Sequence, residues 1–181
     1  MKTWIALASL LTLLPQIASA QSPRPYAGQE TRDIKALSPQ QIEDLRAGRG
    51  MGLALAAELN GYPGPMHVLE LVDRLGLDDV QRQKIEALFA AMRQEAIGVG
   101  ERLIAAEIAL DRQFAERRVT EASLAEGTQA IASLQGELRA AHLRYHLATV
   151  AILSPVQVAR YGELRGYSGG SGPAGHQHRR H

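Results

Sequence analysis

The four residues Arg117-Arg118-Val119-Thr120, "RRVT", decide the fold, because a long helix-forming run lies on each side of them. Upstream, from about Asp79 to Arg118, Ile85, Leu88, Met92, Val99, Leu103, Leu110 and Phe114 mostly recur three, four or seven residues apart. Downstream, from about Glu121 to Leu153, Leu124, Ile131, Leu134, Leu138, Tyr145 and Ile152 do the same. Each run is a rod with one narrow apolar stripe. A joint this short makes the chain double back, so the spacing predicts a long antiparallel helical hairpin. Ala, Leu, Glu, Arg and Gln dominate and no Val/Ile/Tyr/Phe alternation occurs, so the fold class is all-α.

Outward from the hairpin the punctuation is local. A helix is expected from Ser38, weakened by the glycines of "RAGRGMG" (46–52) and resuming to Asn60. "GYPGP" (61–65) is a turn signal, followed by a short helix from Met66 to Leu75 and a stop at Gly76. A last helix runs from Ser154 to near Gly166. Residues 21–36 read as a flexible polar lead-in, 37–166 as the helical domain, and 167–181 as a Gly/His-rich tail that cannot pack.

The first twenty residues, "MKTWIALASLLTLLPQIASA", have a charged start, an apolar run and Ala18-Ser19-Ala20 at the end, the pattern of a secretory signal peptide cleaved after Ala20. The apolar run is too short for a membrane anchor. The expected location is the periplasm, with no membrane span after cleavage. Dropping Lys2 leaves Lys+Arg and Asp+Glu equal at 19 each. A neutral chain is not expected to bind nucleic acid, which needs many phosphate contacts. There is no cysteine. An exported fold without disulfides is held by packing, and any metal site must use His, Met or carboxylate.

Three helix starts share one device. In "LSPVQ" (153–157), Ser154 is the N-cap, Pro155 the first helical residue and Gln157 the third. Ser-x-x-Gln is a capping box, and Leu153 with Val158 makes the hydrophobic staple. Ser38 and Gln41 repeat it in "LSPQQIEDL", and Asp78 and Gln81 repeat it without the staple. Together with the signal peptide and the helical hairpin, "LGLDDVQRQKIEALF" (75–89) and "ILSPVQVARY" (152–161) resemble the LTxxQ motifs of the periplasmic Spy/CpxP family, related to the heavy-metal resistor and sensor group that includes ZraP and CnrX. The resemblance covers roughly residues 66–166, with Asp78 and Ser154 where Thr is usual. It implies bent hairpins paired as a curved homodimer, and a role in metal resistance or sensing linked to envelope stress, or in holding unfolded proteins. Independently, two thin helices enclose little interior, so a second copy is expected to cover the stripe.

The chemistry rests on histidine. His142 and His146, in "HLRYH", lie one turn apart on a helix and can share Zn, Cu or Ni. On a helical wheel His142 falls at the edge of the apolar stripe and His146 further toward solvent. "MHVLE" offers His67 and Glu70 on the short helix, which would complete a site of three imidazoles and one carboxylate. In the resembling metal-binding proteins, a His-x-x-x-His pair with a carboxylate, sometimes a Met, carries the ion. Two readings of the pair stay open: ligands of a divalent transition metal, or ordinary imidazoles beside a core stripe. His176, His178 and His181 in the tail are weaker candidates.

Other features read as structural. "GYSGG" (166–170) lacks the strand and helix that a nucleophile elbow needs, and "GRGMG" (48–52) follows no strand, so no enzyme is expected. Met51, Met66 and Met92 read as core or hinge packing, with soft-metal ligation as the alternative. Glu101, Glu107 and Asp111 read as a solvated face with Arg102 and Arg112. In the holdase reading, Met51, Leu53, Leu55, Val68, Leu69 and Val72 would meet unfolded clients.

Overall fold

A computed structural model describes residues 25–167. Two helices dominate, α5 (Asp79–Ala115) and α6 (Glu121–Val150), packed together as the hairpin the sequence predicts. At 1.5 Å per residue α5 is about 55 Å long. Five shorter helices lie around the hairpin: α1 (Pro39–Ala47), α2 (Leu55–Glu58), α3 (Pro65–Leu69), α4 (Val72–Leu75) and α7 (Pro155–Arg165). Among the described residues no helix is long and apolar enough to cross a membrane.

The three anticipated capping boxes all form, at Ser38–Gln41, Asp78–Gln81 and Ser154–Gln157. A fourth, Thr120–Ser123, starts α6. Two of the glutamines have a second task. Gln81 Nε2 donates to Gln157 Oε1 at 2.9 Å, and Gln157 Nε2 donates to Gln81 Oε1 at 3.0 Å. Gln81 Nε2 also reaches the Ile152 carbonyl at 2.9 Å. The starts of α5 and α7 are therefore joined through the side chains that cap them.

The interior is two apolar clusters. One holds Ile34, Leu37 and Leu45 against Val99, Leu103 and Ile104 of α5 and Ile131 and Leu138 of α6. The other, around the starts of α5 and α7, holds Val68, Leu75, Ile85, Leu153 and Tyr161. In the first, α1 crosses α5 at Gly100, where an added Cβ would lie 2.6 Å from the Leu45 carbonyl oxygen. A glycine inside a helix costs about 1 kcal/mol relative to alanine. Here it admits the backbone of α1.

Several sequence expectations are corrected. Ile34, placed in the flexible lead-in, is buried in the first cluster. The helix expected to resume to Asn60 is a single turn, because Gly48, Met51 and Gly52 all take positive φ and break the helical path. The expected 66–75 helix is two pieces, α3 and α4, interrupted at Glu70 and Leu71. Glu107 is buried rather than part of a solvated face, whereas Asp111 pairs with Lys35 at 3.4 Å. Phe114, placed on the α5 stripe, is 54% exposed near the hairpin tip. Val68 is fully buried against Ile85 and Tyr161 and presents nothing to a client.

Candidate metal centre

The hairpin alone would leave His142 and His146 at its margin. Instead the glycine-rich turn after α1 and the 61–65 turn fold over them, and both imidazoles are buried. This corrects the wheel's placement of His146 toward solvent: Pro63 and Pro65 are fully buried beside it, so the turn is an interior element. His146 Nδ1 donates to the Tyr62 carbonyl at 2.6 Å. That bond fixes the ring and leaves the lone pair on Nε2, the arrangement in which a second nitrogen serves a metal. Gly64 is required by the same packing, because a Cβ there would sit 2.8 Å from His146 Cε1 and 2.9 Å from Nε2.

His142 Nε2 is buried with no hydrogen-bond partner among the described residues. Leaving such a nitrogen unmatched costs about 1–3 kcal/mol. Burial, reinforced by neighbouring His146, pushes its pKa below the ordinary histidine value despite the opposing charge of Glu95. The ring is therefore a neutral base at neutral pH.

A cavity of about 550 Å³ lies here, and its wall includes His67, His142, His146, Glu58, Met51, Met66 and Met92. Three of the histidines picked from sequence thus share one space. Glu70 is elsewhere, half exposed and 3.5 Å from Arg165. The carboxylate in the cavity wall is Glu58 of α2, which sequence reasoning missed. Within "MGLALAAEL" (51–59) it looks like any polar residue of an amphipathic turn. The only signal was the proximity of "GYPGP", whose amide it satisfies when that turn is buried.

Glu58 is a hub. Its Oε1 accepts from Tyr161 Oη and from Tyr167 Oη at 3.0 Å, and its Oε2 accepts from the Gly64 N–H at 3.2 Å. His67 Nδ1 is 3.4 Å from Oε1. Arg165 Nε lies 3.8 Å away. Burial alone would push the Glu58 carboxyl up. His67, Tyr161 and Tyr167 together outweigh that and hold it down at about 2. Tyr161 is pushed up in turn, by burial and by the Glu58 charge.

The donor chemistry fits a transition-metal ion: two imidazoles, one oriented by a backbone carbonyl and one with an orphan nitrogen, beside thioethers and a carboxylate. As the side chains stand, no three His, Asp or Glu among the described residues converge closely enough to hold one ion. His176, His178 and His181 lie outside the described residues. No protein-family model matches the chain, and comparison with curated proteins and with solved structures finds none similar to it.

Proposed function

We propose that this chain is a non-enzymatic, periplasmic metal-binding protein of the heavy-metal resistance or sensor type, taking a transition-metal ion in the cavity beside His142 and His146. The observation that carries this reading is the buried, unpartnered Nε2 of His142, one helical turn from a histidine whose other nitrogen is already tied to a backbone carbonyl. His67 and Glu58 line the same cavity, His67 as a third imidazole and Glu58 as the group that sets the surrounding charge. Binding would draw the glycine-rich turn and α3 toward α6. In the envelope, a homodimer's shape or availability to a stress pathway would change with occupancy.

The test is a metal titration followed by thermal unfolding, in a background carrying His176→Ala, His178→Ala and His181→Ala to silence the tail. An ion at a hundred times its dissociation constant stabilises by about 2.7 kcal/mol. The melting temperature should rise with Cu, Zn or Ni, and the rise should vanish in His142→Ala/His146→Ala. An equal rise in that double variant removes the site.

A second reading, an ATP-independent holdase, is favoured by a different observation. Met51, Leu55, Leu59, Tyr62 and Met66 are all 40% or more exposed within one segment. Leu53, Leu69 and Val72 are half-buried and would contribute only edges. Suppression of client aggregation without metal, weakened in Leu55→Ser/Leu59→Ser, would support it. No suppression by the native chain would remove it.

A further inference from the structure

Apart from Met1, the chain has three methionines, and all three line this cavity. They arrive from unrelated places: Met51 from the glycine-rich turn, Met66 from α3 and Met92 from the middle of α5. Met92 is only 7% exposed yet belongs to neither apolar cluster. Met66 is 42% exposed at its side of the cavity, where a polar residue would be the ordinary choice. Met51 holds a φ of 43°, a left-handed backbone that side-chain-bearing residues take at a cost of about 1–2 kcal/mol. Glycine stands on both sides of it and would take that conformation freely.

The oxygen and nitrogen donors point the same way. Divalent ions such as Zn²⁺ want four such ligands, and no three converge here among the described residues. Glu58 is already engaged by two tyrosine hydroxyls and a backbone amide. Among the described residues the cavity wall sets Arg93 against its one carboxylate, Glu58, while Arg49 is paired with Asp44 and Glu43. These two charges offset each other for an ion of either valence, so the wall supplies no net negative charge to favour a dication. Thioether sulfur is a soft, uncharged ligand that selects soft ions, and soft monovalent d¹⁰ ions accept low coordination numbers.

Resting on the metal-binding reading above, we propose that the preferred ion is a soft monovalent one, Cu(I) or its redox-inert counterpart Ag(I), held by a small subset of these donors, imidazole nitrogen from His142 or His146 with thioether sulfur from among Met92, Met51 and Met66.

The experiment compares Ag(I), Cu(I) under anaerobic conditions against a competing chelator, and Zn(II) on the full chain with the three tail histidines replaced by alanine. The variants are Met51→Leu/Met66→Leu/Met92→Leu and, as a guard against misfolding, Met51→Leu/Met66→Leu, which changes only part-exposed positions. The native chain should bind one Ag(I) or Cu(I) more tightly than Zn(II), with sulfur neighbours in X-ray absorption. The leucine variants should bind Ag(I) about tenfold or more weakly while Zn(II) affinity stays within a few-fold. Unchanged Ag(I) binding in both variants, or a metal with no sulfur neighbour, overturns the soft-ion proposal. In that case Zn(II) binding that depends on His142 and His146 leaves the metal-binding reading standing. If neither class of ion binds the native chain, both fall.

Discussion

Among the described residues each half of the molecule closes one carboxylate off from solvent, and the two halves treat it in opposite ways. Glu58, at the end shared by α2, α3 and α7, is surrounded by two tyrosine hydroxyls, a backbone amide, an imidazole and a guanidinium. Its pKa falls to about 2. Glu107, on the α5 face of the hairpin's other half, has no hydrogen bond or ion pair among the described residues, and burial alone pushes its pKa up. The difference is one of donors, not depth. One half is organised around a charge and gathers imidazoles beside it. The other is an apolar core that tolerates a carboxyl. The metal centre proposed above lies in the half that can manage charge.

The contrast breaks most readily at Glu58. Glu58→Ala strips the partner from Tyr161, Tyr167 and the Gly64 amide at once, and removing one side of such a buried network costs about 3–5 kcal/mol. Urea unfolding at neutral pH measures it, and a loss under about 1 kcal/mol would mean that the hub is dispensable. Gly64→Ala is next. Its backbone conformation suits alanine, but the new Cβ collides with the His146 ring. Overpacking of this kind costs about 1–3 kcal/mol. The same variant should weaken metal binding, read by titration, because the ring it displaces is a proposed ligand.

Acid separates the two carboxyls by sign. Glu58 titrates lower in the folded chain than in the unfolded chain, so its contribution is complete above the ordinary carboxylate range. It is lost as pH falls from about 4.5 toward about 2. Glu107 titrates higher when folded, so its cost is absent in acid and grows as pH rises through and above the ordinary carboxylate range. Melting curves from pH 2 to 7 should therefore show a Glu58-dependent rise. Glu107→Gln, the smallest effect, should gain about 1 kcal/mol or less at neutral pH and nothing in acid. A gain that is the same at both ends of the range would place the cause outside its ionisation.

What could be read from the sequence was what the chain decides locally. Ser38, Asp78 and Ser154 announce helix starts because a cap and its glutamine are three residues apart and need no distant partner. The "RRVT" joint works the same way. The His142/His146 pair was visible from its one-turn spacing, as was the choice of His67. Their burial was not, since it depends on a turn some eighty residues earlier in the chain folding over α6. Glu58 was passed over and Glu107 misread for one reason: a charged residue in a helical pattern looks solvated until the neighbour that covers it is known. The methionines read as core or hinge packing, and their convergence on one cavity could not be seen before the fold was known.

The paired amides of Gln81 and Gln157 set a rule for drift at the repeated motif. At position 41 the side chain serves only its own helix start, so glutamate can replace glutamine with the same acceptor oxygen and no loss. At 81 and 157 each residue must give as well as receive. Glutamate at either place sets oxygen against oxygen. Three letters that look alike in the text thus differ in freedom, and the two that are locked tie together helices whose starts stand seventy-six residues apart along the chain.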